Sequence, residues 1–121
     1  MFQIVFNALS ASELSQLDTF SQLDLLDQFK VNQEILSNSE DDRFGKIERE
    51  GKTLYRFRSD DQRVYFEVEE DRVIVHRILS KNSIADFLFR SSLPMASEDE
   101  ELASSKHFWS LIDEGKAAKS V

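Results

Sequence analysis

The sequence predicts an α+β fold: a small, mainly antiparallel sheet with helices on one face, followed by a further C-terminal helix. Three observations predict it. Residues 53–79 alternate with period two, as a half-buried sheet does, because strand side chains point to opposite faces in turn. The segments on either side repeat their apolar residues at helical spacing. The chain has 121 residues, of which 40% are hydrophobic and ten are Phe, which suits one domain with one modest core.

The elements follow in order. Phe2 to Asn7 is a short Phe, Ile and Val run bounded by Asn, which predicts a strand. Ser10 and Glu13 have capping-box spacing, and Leu14 and Leu17 continue at helical spacing. Leu25, Leu26 and Phe29, with Leu36 beyond, predict a second helix. Asn38 to Asp42 is polar and acidic, hence a loop. Thr53 to Arg58, Arg63 to Val68 and Arg72 to Leu79 then read as a three-strand meander. The polar breaks Ser59 to Gln62 and Glu69 to Asp71 suit its turns. Ser83 to Arg90 predicts a short helix, with Ile84, Phe87 and Leu88 on one face. Pro94 ends that block. Ser97 with Glu100 repeats the capping-box spacing, and the carboxylates at 98–101 suit the positive end of a helix dipole. A helix over 98–114 is expected, capped by Gly115 and followed by a frayed tail. Its stripe of Leu102, Phe108, Trp109 and Ile112 must bury against this domain, a second copy or a partner.

Composition excludes several classes. The chain has no Cys, so disulfide scaffolds, thiolate metal sites and cysteine nucleophiles are ruled out. Three isolated glycines leave no phosphate-cradling loop. His76 and His107 lack the spacing of a metal motif, and no GxSxG elbow is present, so no cofactor is expected. The start, MFQIVFN, has neither a basic region nor a long apolar run, and no stretch approaches the ~20 apolar residues of a membrane span. The expected address is the cytoplasm, with no membrane contact. The formal net charge of −8 argues against gripping nucleic acid by bulk charge. That charge is uneven, however. Residues 1–40 sum to −5 and residues 94–121 to −3, whereas residues 41–93 are neutral and hold eleven of the fifteen cations.

Strict alternation places Tyr55, Phe57, Val64, Phe66 and Val68 on a helix-covered side. The opposite, open face then carries Leu54, Arg56, Arg58, Arg63, Tyr65 and Glu67. The third strand adds either Val75 and Arg77, or His76, and Lys81 stands at its far end. Guanidiniums near a tyrosine suit phosphate, because they fork onto its oxygens and stay charged, while the ring stacks on a base. The same residues also suit a solvated sheet face paired with Asp60, Asp61, Glu67 and Glu69.

The stretch Leu54-Tyr55-Arg56-Phe57-Arg58, the turn, then Arg63-Val64-Tyr65-Phe66-Glu67-Val68 and Val73 to Ile78 resembles the RelE/ParE toxin superfamily. The order strand, two helices, acidic loop, meander and short helix is similar too, and Phe44 to Ile47 resembles the connector before the meander. The resemblance implies a RelE/ParE-like domain over 1–93, with 94–121 as an acidic C-terminal helical extension. It implies a translational repressor of a toxin–antitoxin system, acting on ribosome or mRNA. If active, such a protein is an mRNA endoribonuclease. Arg56, Arg58, Arg63 and Lys81 then match the family's catalytic cations, which stabilise charge developing at the scissile phosphate. Arg56, Arg58, Arg63, Tyr65 and Arg77 would contact RNA. An antitoxin or other protein partner is implied as well, with Leu102, Phe108, Trp109 and Ile112 as its contact stripe. Residues 80–87 lack the Tyr or His common in the family, so weak or lost RNase activity is expected. The alternative is a non-catalytic interaction module that keeps the fold. In either case the acidic helix is a candidate cover for the arginine face.

Overall fold

The computed structural model describes residues 3–31, 36, 43–59, 62–80, 100 and 102–119. Strand β1 spans Gln3–Phe6, helix α1 Ala8–Ser15 and helix α2 Thr19–Gln28. Strands β2 (Phe44–Arg49), β3 (Lys52–Ser59), β4 (Gln62–Glu69) and β5 (Arg72–Ser80) follow, then helix α3 (Lys106–Ala117). The strands form one mixed sheet in the order β1-β5-β4-β3-β2. Strands β2 to β5 are an antiparallel meander, and β1 lies parallel to β5, from Gln3 beside Arg72 to Phe6 beside Val75. The fold is α+β, as the alternation predicts. Among the described residues, no helix is long and apolar enough to cross a membrane.

The meander has one strand more than expected. Phe44–Arg49, which takes in the expected connector Phe44 to Ile47, pairs with β3 through a two-residue turn. Glu50 and Gly51 hold φ of 51° and 81°, and two left-handed residues give the primed turn whose twist matches paired strands. Ile47 is the buried anchor of this added strand.

Helix starts also differ from the capping boxes predicted. Asn7, not Ser10, caps α1: its side chain accepts from the Ser10 amide at 2.7 Å, and Ser10 Oγ accepts from the Asn7 amide at 3.0 Å. Ser10 is therefore the reciprocal partner in the box, which frees Glu13 for other work. Asp18 caps α2 by accepting from Ser21. Ser105 caps α3, so this helix begins after the acidic run. It continues past Gly115 to Ala117, and Lys119 O accepts from the Ala8 amide at 2.8 Å, which ties down the expected frayed end. The predicted helix over Ser83 to Arg90, the loop at 38–42, Pro94, Ser97 and Lys81 lie outside the described residues.

Two apolar clusters occupy the two faces of the sheet. On one, Leu25 and Phe29 meet Phe57, Val64, Phe66, Val73, Val75 and Ile78, with Leu14 and Leu17 at the margin. On the other, Leu102, Phe108, Trp109 and Ile112 meet Ile47, Leu54, Tyr65 and Leu79. The first two helices thus share a face as predicted, and the C-terminal helix takes the opposite one. Each large side chain so buried stabilises the fold by roughly 1.5–3 kcal/mol.

Gly115 sets how closely α3 approaches. A Cβ there would overlap the His76 carbonyl oxygen and lie 2.9 Å from its carbon. Gly115→Ala should therefore destabilise the protein by about 1–3 kcal/mol, despite the roughly 1 kcal/mol that Ala gains in an unconstrained helix. Urea denaturation checks this, and an unchanged midpoint would refute the close contact.

Candidate functional site

The face predicted to carry arginines is built on an irregularity in β5. Tyr65 pairs with Arg77 and Phe66 with Val75, so His76 is an extra residue, a bulge. Strict alternation offered either Arg77 or His76 on this face. The bulge places both there, with Val75 on the other side.

That face is covered. The apolar stripe of α3 buries within this domain together with Leu102, which precedes the helix, leaving Leu102, Phe108 and Ile112 at 0% exposure and Trp109 at 8%. These four residues, expected as a partner's contact stripe, are enclosed by their own sheet. Phe108 packs edge-on to Tyr65 with ring centroids 4.9 Å apart. Tyr65, Arg56 and Arg63 are all buried on this face. Arg56 Nη1 donates to the Arg43 carbonyl at 3.0 Å, and Arg63 Nη1 to the Gln62 carbonyl at 3.2 Å. Arg58 stands opposite Arg63 and is half-buried. Lys81, the fourth predicted catalytic cation, lies outside the described residues. Alternation correctly placed Arg56, Arg58, Arg63 and Tyr65 on one face. The expectation of an open face fails because the α3 stripe is complementary to Leu54, Tyr65 and Leu79.

Arg77 is held by carboxylates rather than displayed. Its Nε and Nη2 donate to Glu13 at 3.1 and 2.8 Å, and its Nη1 donates to Leu111 O at 3.0 Å and Glu114 at 3.3 Å. Glu13 also accepts from the Ile78 amide at 3.0 Å. One carboxylate thus joins α1, β5 and, through Arg77, α3. The sequence singled out Glu13 as a cap, and nothing in its local pattern marks this longer reach. Asn7 likewise marks only the end of the predicted first strand. Its Nδ2 faces three carbonyls, those of Val75, His76 and Gly115, at 3.3, 3.0 and 2.8 Å.

Beside this lies a second polar cluster. His76 Nε2 is 3.5 Å from Glu67 Oε1, and Lys116 Nζ is 2.7 Å from the same oxygen. Burial pushes the His76 imidazole below its usual range, against the pull of Glu67, and Lys116 adds to the fall. Burial raises the Glu67 carboxyl, but Lys116 and His76 outweigh it, so its net shift is downward.

On the outer side of α3, a shallow groove of about 650 Å³ includes Arg49, Lys106, Trp109 and Asp113. Arg49 pairs with Asp113 at 2.9 Å and its guanidinium lies 4.3 Å from the Trp109 ring centroid. Among the described residues, no group of His, Asp and Glu is arranged to hold a metal ion. Chemically, Arg56 and Arg63 direct donors to the carbonyls of Arg43 and Gln62, and Arg77 directs its own to the carboxylates of Glu13 and Glu114. Comparisons with protein-family models, curated proteins and solved structures found no match.

Two outcomes follow from the charges. Below about pH 6.5, the ordinary histidine value, the unfolded chain takes up a proton that folded His76 resists. Stability should therefore fall with falling pH through that window, by at most about 1.4 kcal/mol per unit. His76→Leu should flatten the slope between pH 7 and 5 in denaturation series, and an identical slope would refute it. Glu13→Ala strands Arg77 and the Ile78 amide, and should cost on the order of 3 kcal/mol, read by the same denaturation midpoint.

Proposed function

We propose that this chain is a RelE/ParE-like translational repressor of the toxin–antitoxin type, with weak or lost RNase activity. The observation that carries the reading is the burial of Arg56 and Arg63 on the sheet face where α3 packs against Tyr65. The resemblance supplies the class. The order strand, two helices and meander, with the last strand beside the first, supports it.

The loss of cleavage follows from electrostatics. Transition-state stabilisation needs preorganised cations within hydrogen-bond reach of the phosphate. Arg56 and Arg63 direct donors to backbone carbonyls, and Arg77 directs its own to Glu13 and Glu114. Displacing α3 to admit RNA would expose Leu54, Tyr65 and Leu79, an apolar floor unsuited to a phosphate backbone. Action by binding is therefore the better supported mode.

A specific observation favours a second reading, the non-catalytic interaction module. Phe20, Leu23 and Leu26 are exposed on α2, although the opposite side of that helix is packed into the core.

The test uses the purified full chain with mRNA-programmed ribosomes. Primer extension should show no cleavage in the ribosomal A site. Translation should be inhibited modestly, and Arg58→Ala, at the half-buried rim, should reduce ribosome co-sedimentation severalfold. Efficient A-site cleavage would overturn the loss of RNase activity. Absence of both inhibition and co-sedimentation would remove the repressor and leave the interaction module.

A further inference from the structure

Helix α2 presents two unlike faces. Leu25 is buried, as is Phe29 at its C-cap, and both lie in the core. Phe20, Leu23 and Leu26 are spaced three apart and are 79%, 64% and 40% exposed. Residues three apart form a continuous ridge on a helix. Exposing a phenylalanine and two leucines on one ridge forgoes the burial that Leu25 and Phe29 obtain, which marks a contact surface.

Charge beside the ridge selects the occupant. Asp24 and Asp27 form the neighbouring row at the same spacing, and Asp18 stands at the helix start. Lys30 is the one cation of that segment. A second copy of this chain would bring three carboxylates and one ammonium against the same set, so like charges oppose self-pairing. A partner with cations alongside an apolar stripe meets both features. The ridge rises over about 9 Å, so it fits two turns of such a partner and suits a transient contact rather than a permanent one.

We infer that the outer face of α2 docks an amphipathic helix of a partner protein, whose leucine-type stripe seats on Phe20, Leu23 and Leu26 and whose Lys or Arg residues meet Asp24 and Asp27. This deepens the interaction-module reading and rests on it. The surface is separate from the face that α3 covers.

The test titrates the full chain with two labelled synthetic helical peptides. Both carry leucines at i, i+3 and i+7. One is flanked by lysines and the other by glutamates, and fluorescence anisotropy is the readout. The lysine peptide should bind, more weakly as salt rises, and the glutamate peptide should bind at least about tenfold more weakly. The double variant Phe20→Ser/Leu23→Ser should lose about tenfold or more in affinity for the lysine peptide. Its thermal midpoint should be unchanged, because both positions are exposed. Asp24→Lys/Asp27→Lys should reverse the peptide preference. Three results would overturn the inference: no binding of the lysine peptide, equal affinity for both peptides, or full affinity in the Ser variant. Sedimentation equilibrium adds a fourth, a homodimer that the Ser variant dissolves. Binding that survives the ridge variants would sink this site while leaving an interaction module. Ribosomal mRNA cleavage, the result that removes that module, is scored separately and should not respond to the ridge.

Discussion

Where β5 runs past the end of β1, its backbone turns toward two helices at once. The short first strand covers β5 only as far as Val75. Beyond that point, side chains of α1 take over: Ser10 and Asn7 donate to the Val75 carbonyl, Asn7 to that of His76, and Glu13 accepts from the Ile78 amide. A buried backbone group left unpaired costs about 1–3 kcal/mol, so the helix serves as a substitute strand edge. The bulge at His76 falls within this stretch, and Gly115 of α3 lies against its carbonyl. The close approach of the C-terminal helix to β5 depends on that one junction.

The arginines illustrate how a face can keep its residues and change its character. Isolated on an open sheet, they would suit phosphate. Arg56 and Arg63 are buried, and a desolvated guanidinium must find acceptors within the protein. Carbonyls of Arg43 and Gln62 and carboxylates of Glu13 and Glu114 supply them. The pairs between Arg49 and Asp113 and between Lys116 and Glu67 extend the same logic along both sides of the helix. The helix therefore contributes both carboxylates, Asp113 and Glu114, and an apolar stripe to its contact with the sheet.

Period-two alternation made β3 and β4 legible, because each of their side chains has a fixed face once one is placed. Fold class followed from that and from helical spacing at the two flanks. Three features were hidden for separable reasons. Strand β2 lacks a clean alternation, and its signal was the Glu50-Gly51 turn rather than its own residues. The bulge breaks the period without an obvious mark, so Arg77 and His76 looked mutually exclusive. Glu13 and Asn7 act over more than sixty residues of sequence, and local pattern carries no trace of such reach. The α3 stripe was legible as apolar, whereas its destination depended on the shape of the sheet.

The parallel pairing of β1 with β5 has a temporal side. Strands β2 to β5 can zip together from neighbouring hairpins as they leave the ribosome. Gln3 to Phe6 must wait for Arg72 to Val75, and Asn7 must wait for Gly115. Non-local closures of this kind come late, because loop entropy is spent before their contacts form. Gln3 to Phe6 are thus among the last of these elements to settle, and the sheet face that carries Tyr65 stays uncovered on the nascent chain until α3 emerges.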